Sequence, residues 1–223
     1  MADSRRDEKI VQGCEVYAQA PQRAKGGERT ISVDELTGVQ AIERKHPDRP
    51  MQPGHVLRRE FEYIRHGTLS WFIHFDVGTF HVIEPSWGAT RTEEDALAHL
   101  QRLMGSSPEA TKWHVMLDNL TIHQSESLVR WVAEREGIAA ERLGIKGKSG
   151  ILQSMESRAA FLHDPTHQVV FYYTPKHACL SEPGRNLAEH SGAQVAQTWQ
   201  FPLAGGLARP NLSVYGVFQS YDG

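Results

Sequence analysis

Two aspartates each close a short apolar run: Asp34 in Ile31-Ser32-Val33-Asp34-Glu35, and Asp118 in Val115-Met116-Leu117-Asp118-Asn119, with His123 five residues further on. Carboxylates delivered by the ends of different strands can hold hard divalent cations, which prefer oxygen donors and negative charge. A strand-borne aspartate on its own is most often a turn or cap residue. A second one at the end of a central strand changes that reading, because strand ends carry ligands in open α/β sheets. Asp34 and Asp118 are therefore the candidate catalytic and metal-binding carboxylates. His123 has the chemistry to bind metal or to position a phosphate oxygen, and equally that of an ordinary hydrogen-bonding loop histidine. A two-cation site needs further acid, yet the tract after Thr174-Pro175-Lys176-His177 loses its pattern.

The elements that must present these residues follow from periodicity. Charged and small residues predict a short helix around Glu8 to Ala18, ended by Gly26-Gly27. Glu28 to Glu35 alternates Ile31 and Val33 against Ser32 and Asp34, the period of a half-buried strand, so Asp34 points away from that strand's apolar face. Residues 36 to 58 carry Pro47, Pro50, Pro53 and Gly54 among charges and read as an irregular excursion. Phe61 to Ile64, leading on through Leu69 to Phe75, and then Phe80 to Ile83, read as a meander broken at Gly67 and Gly78. A capped helix runs from Thr92 to Gly105, and Trp113 to Leu117 is a continuous apolar run suited to a buried strand. Helices over Ser125–Glu136 and Ile151–Leu162 and a last strand over Val169–Tyr173 complete an order β-β-β-α-β-α-α-β.

The 223 residues suffice for one sizeable core, and 39% hydrophobic with 23% charged residues describes a folded soluble chain. No stretch reaches the roughly 20 apolar residues of a membrane span, and the charged N-terminus has no signal-peptide core behind it, so a cytoplasmic protein without membrane contact is expected. Cys14 and Cys179 lie far apart without metal-ligand spacing. The net charge of −3 is awkward for a nucleic-acid partner. Basic residues need only be local, however, as at Arg58-Arg59, Arg65-His66 and Lys146 with Lys148. Gly147-Lys148-Ser149 mimics the end of a phosphate-binding loop, but Arg142 stands where that motif requires glycine, which excludes nucleotide binding there. Contact of these lysines with a DNA phosphate remains open, as does a simple basic turn.

Five separated motifs then arrive in order: Ser32-Val33-Asp34-Glu35; Arg59 to Thr68; Asp118-Asn119 with His123; Lys146 to Leu152; and Tyr173-Thr174-Pro175-Lys176-His177. Together, over roughly residues 7 to 177, they resemble the DDE catalytic domain of mariner-like insertion-sequence transposases. The resemblance implies an α/β, RNase H-like fold, a mixed five-stranded sheet flanked by helices. It further implies two Mg²⁺ or Mn²⁺ ions and the cutting and joining of transposon DNA ends. Asp34 and Asp118 match the first two catalytic acids, Asp34 bridging both ions. The DNA contacts it suggests are Arg65, His66, His123, Lys146, Lys148, Lys176 and His177.

The third acid of that family falls eight residues after His177, where this chain has Arg185. Pro183-Gly184 also argues against the helix that should carry it. One legal set of codons for Glu182 to Pro202, read a base later, spells Asn-Gln-Val-Glu-Ile-Trp-Leu-Ser-Ile-Leu, the start of that helix, with its glutamate codon straddling Arg185 and Asn186. This is the pattern of a frameshift near Ala178 to Ser181. The expected organisation is a lead-in over 1–27, a catalytic domain over 28–177 whose C-terminal helix is disrupted, and an out-of-frame tail over 178–223. The lead-in is too short for the family's helix-turn-helix units. The expected function is a transposase domain defective for want of its third acid, with weakened cation binding. The alternative is a non-catalytic fragment that binds transposon-end or target DNA, or pairs with itself or an intact transposase.

Overall fold

The computed structural model describes residues 5–175. Helix α1 (Arg6–Lys25) leads into β1 (Glu28–Arg44), β2 (Tyr63–Asp76) and β3 (His81–Gly88), then α2 (Glu93–Gly105) and β4 (Lys112–Leu117). After β4 come α3 (Glu126–Arg135), the short α4 (Ala140–Leu143), α5 (Met155–Leu162) and β5 (Val169–Tyr173). The strands form one sheet in the order β3-β2-β1-β4-β5. Its first three members are antiparallel, while β4 pairs parallel to β1 and β5 parallel to β4. This mixed sheet with helices on its faces is the RNase H-like arrangement.

Both faces of the central strands are covered, which is why β4 and β5 read as unbroken apolar runs. Val115, Leu117, Val169, Phe171 and Tyr173 pack with Ile31 and Val33 into the main core beneath α2, α3 and α5. The alternate residues Met116, Val170 and Tyr172 turn to the opposite face and meet Val16 of α1. The helix within the 1–27 segment therefore packs on the sheet, and at 6–25 it is longer than the 8–18 expected. The α2 capping box is present, Thr92 accepting from the Asp95 N–H and Asp95 from the Thr92 N–H.

Three expectations are corrected. Residues 36 to 44 are strand and not loop, because Val39 pairs with Leu69 and Ile42 with Arg65. The irregularity that the sequence signals here is absorbed as register shifts near Gly38, whose φ is 75°. The prolines all lie beyond this pairing, Pro50 and Pro53 in a segment closed by the bridge Arg49–Arg58, with a second bridge at Gln52–His55. Gly67 does not break β2, which runs unbroken through it. Ile151–Leu162 is not one helix: a 3₁₀ turn over Ile151–Gln153 is followed by Ser154, whose hydroxyl accepts from the Ser157 N–H and starts α5.

Candidate active site

Asp34 and Asp118 come together through strand register. Ser32 of β1 pairs with Met116 of β4 in parallel, and two residues further along each strand lie Asp34 and Asp118. Alternation sets the face. Ile31 and Val33 enter the main core, whereas Ser32 accepts a hydrogen bond from the Tyr17 hydroxyl of α1 at 3.2 Å. Asp34 follows Ser32 onto that face, beyond the helix, and is exposed. The phenol of Tyr17 feels it: burial pushes this phenol up, the Ser32 hydrogen bond opposes, and the negative charge of Asp34 adds to the rise.

The loop after β4 is fastened at several points. Asp118 Oδ1 accepts from the Leu120 N–H at 3.2 Å, an Asx-type turn. Gln124 donates its side-chain amide to Asn119 Oδ1 at 2.6 Å. The Tyr173 hydroxyl donates to the His123 carbonyl at 2.9 Å, and the Thr174 N–H donates to the Leu117 carbonyl at 3.0 Å. Burial pushes the Tyr173 phenol far up, so this donor stays protonated. Residues of the Tyr173-Thr174 motif thus support the Asp118 loop from the neighbouring strand.

His123 is not a surface group. Its side chain is 4% exposed, and Nε2 lies 3.2 Å from Asp118 Oδ1 and 3.2 Å from Glu35 Oε1. Little of the ring is therefore open for direct contact with a DNA phosphate. Burial pulls the imidazole down, but Asp118 and Glu35 outweigh it and hold the group above its ordinary value. Glu35 is itself 5% exposed, with Arg91 Nη1 at 3.2 Å from Oε2. Sequence reading passed over both Glu35 and Arg91. The signal for Glu35 was present, since alternation that turns Asp34 outward turns Glu35 inward with Val33. Nothing local marked Arg91, which arrives from the turn before α2.

The remaining candidates lie elsewhere. Arg65 pairs opposite Ile42, eight residues beyond Asp34 on β1, roughly 25 Å along the strand. His66 beside it contacts Glu43, with Nε2 2.8 Å from Oε2. Neither joins the carboxylates. Lys146 and Lys148 are exposed on a tight loop bridged between Ile145 and Ser149, and Lys146 Nζ is 3.8 Å from Glu126 Oε2. Gly144 and Gly150 close this loop, both at positive φ, and a Cβ on Gly144 would stand 2.2 Å from the Ser149 carbonyl oxygen. Lys176, His177 and Arg185 lie outside the described residues, as does the tract where a disrupted C-terminal helix is expected.

Two accessible carboxylates are hard oxygen donors, which suits Mg²⁺ or Mn²⁺ better than a thiophilic ion. Asp118 keeps 45% of its side-chain surface open. Among the described residues, no group of three or more His, Cys, Asp or Glu side chains converges to hold a metal. No helix among them is long and apolar enough to cross a membrane.

The family model for the DDE superfamily endonuclease domain matches residues 29–191, and the chain belongs to that family. The match includes both Asp34 and Asp118 and extends past Arg185. Solved structures with a similar chain include the Mos1 mariner paired-end complex with Mn, at 18% identity over 62% of this chain and 42% of that one, with a TM-score of 0.35. A second is the mariner Mos1 paired-end complex with Mg, at 16% identity over 87% of this chain and 58% of that one, with a TM-score of 0.33. The chain thus spans less than two thirds of the length of these structures. No curated protein matches it.

Proposed function

We propose that this chain is the catalytic domain of a mariner-like DNA transposase, spanning 28–177, and that it is defective as translated because Arg185 stands in the place of the third acid. The observation that carries the reading is the matched position of Asp34 and Asp118, each two residues past the last parallel pair of β1 and β4, in a DDE endonuclease domain.

Asp34 and Asp118 would hold divalent cations, Mg²⁺ or Mn²⁺. Cations bound there supply activation of water or of a DNA 3′-hydroxyl and neutralise charge on the leaving oxygen. The chain's own part is to place two negative oxygen donors side by side, to hold the Asp118 loop by Tyr173 and Thr174, and to offer cationic groups elsewhere on its surface to the DNA backbone. Lys146 and Lys148, with Lys176 and His177, are the phosphate contacts of this reading. Arg65 and His66 sit far enough along the β1–β2 arm to meet DNA away from the cut. With Arg185 in place of an acid, a ligand is lost and a positive charge is brought in its stead, so cation binding weakens.

The test is Mg²⁺- or Mn²⁺-dependent nicking of transposon-end DNA by the chain as it stands and by one with the frame restored after Ala178. The restored chain is expected to nick and its Asp34→Ala variant not to, while the present chain is inactive. Asp34-dependent nicking by the present chain overturns the defect, and a folded but inactive restored chain overturns the catalytic reading. The gene sequence over codons 174–190 checks the frameshift directly. Arg185 favours one second reading, a non-catalytic fragment that binds DNA or pairs with an intact transposase. Co-purification with the restored chain, together with inhibition of its nicking, is the outcome that reading requires.

A further inference from the structure

The carboxylate of Glu35 is buried on the face of β1 opposite Asp34, and a buried charge is costly unless other groups compensate it. Two groups from separate segments do so. Arg91 Nη1 lies 3.2 Å from Oε2, and His123 Nε2 lies 3.2 Å from Oε1. These are ion-pair contacts: neither Glu35 oxygen has a partner in hydrogen-bond geometry among the described residues. His123 Nε2 is also 3.2 Å from Asp118 Oδ1, so one ring nitrogen faces two carboxylates. The other ring nitrogen, Nδ1, is buried without a partner among the described residues, and the His123 carbonyl is held by the Tyr173 hydroxyl at 2.9 Å. The backbone at His123 is thus anchored by Tyr173, and the imidazole turns Nε2 toward both Asp118 and Glu35.

We infer that Arg91, Glu35 and His123 are positioning residues that set the orientation of the Asp118 carboxylate. The inference rests on the reading of Asp118 as a cation ligand. Apolar residues would fill the same volume with no desolvation cost, so packing alone does not account for a buried Glu35–His123 pair, met from the solvent side by Arg91, that ends on this carboxylate. Both the His123 contact and the Leu120 N–H fall on Oδ1, which pins the carboxylate while leaving it partly open to solvent. Arg91 balances the charge of Glu35, so that Glu35 can orient the ring without adding an unpaired negative charge behind the site. Groups in this relation to a metal ligand typically change cation affinity by about 10- to 100-fold when removed.

The test uses the full chain and Mn²⁺ alone, with affinity read by electron paramagnetic resonance and folding by circular dichroism. Asp34→Asn and Asp118→Asn are expected to abolish binding, and Glu35→Gln to weaken it about tenfold, with partial recovery in Glu35→Asp. Should Glu35→Gln fail to fold, the double variant Glu35→Gln/Arg91→Met, which leaves no unpaired buried charge, is measured in its place with the same expected loss. A metal-free readout accompanies it: a protected Nε2–H proton of His123 in the NMR spectrum, lost in both Glu35→Gln and Asp118→Asn. Wild-type affinity in the folded Glu35 variant, or absence of the protected proton from the parent chain, overturns the inference. Mn²⁺ binding that survives Asp34→Asn and Asp118→Asn overturns the cation-site reading instead.

Discussion

Asp34 and Asp118 stand at matched positions on neighbouring parallel strands, two residues beyond the paired Ser32 and Met116. Two negative groups so placed repel one another unless a cation lies between them, and that repulsion has a measurable consequence. Mn²⁺ is expected to raise the melting temperature of the parent chain, because a ligand that binds only the folded state stabilises it by mass action. Asp118→Asn removes the dependence while leaving the metal-free melting temperature unchanged or slightly higher. Calorimetric scans with and without Mn²⁺ check this, and an unchanged Mn²⁺ response in the variant contradicts the paired-carboxylate site.

The loop that carries Lys146 and Lys148 depends on two glycines. A Cβ at Gly144 would meet the Ser149 carbonyl oxygen at 2.2 Å, and one at Gly150 the Leu143 carbonyl oxygen at 2.6 Å. Because both also lie at positive φ, Gly144→Ala or Gly150→Ala should cost more than about 2 kcal/mol. Gly147, at φ 74° with open space around it, carries only the backbone term, about 1 kcal/mol on substitution by alanine. Urea denaturation of the three variants should rank them in that order.

Lys146→Ala and Lys148→Ala should each weaken binding to duplex DNA in a way that depends on salt and not on sequence. Each should reduce the slope of log affinity against log salt by about 0.9. His123→Asn, altering a buried group, should leave that slope alone. Fluorescence anisotropy at several salt concentrations distinguishes the two, and a slope that falls equally in all three variants would place His123 among the DNA contacts.

His74 of β2 is buried, with Nδ1 3.0 Å from the Glu84 carbonyl oxygen, and burial pushes it down to about 4, against the upward pull of that backbone contact. The folded chain keeps this ring neutral where the unfolded chain, with the ordinary value of 6.5, takes up a proton. Stability is therefore expected to fall as pH drops from about 6.5 to about 4, by up to roughly 3 kcal/mol from this residue. His74→Gln should flatten the decline over that window. Chemical denaturation at pH 7, 5.5 and 4.5 measures it, and parallel curves for parent and variant would rule the effect out.

Much of the fold was legible because local periodicity and burial agree. The run Trp113–Leu117 reads as a doubly buried strand and is one, and Val169–Tyr173 matches its strand residue for residue. Residues 36 to 44 were misread because proline and glycine are local signals, whereas the pairing that keeps this stretch extended comes from β2, about 25 residues away. Helix α1 packs Val16 on the sheet surface of Met116, Val170 and Tyr172 and runs on past its expected end to Lys25, with Ala20 buried in the extension. A half-polar helix carries little intrinsic information about such a partner.

The sequence by itself determined the chemistry available: two aspartates that each close an apolar run, no third acid at its expected place, and the family to which their spacing belongs. Residue types and short spacings are enough for that. Only the tertiary structure decided which groups stand behind the site. Asp34 and Asp118 meet through a parallel pairing across more than eighty residues of chain. Glu35, Arg91 and His123 converge from a strand, a turn and a loop that no local pattern connects. That convergence is a product of long-range packing, in which alternation on β1 turns one acid toward solvent and the next into the core.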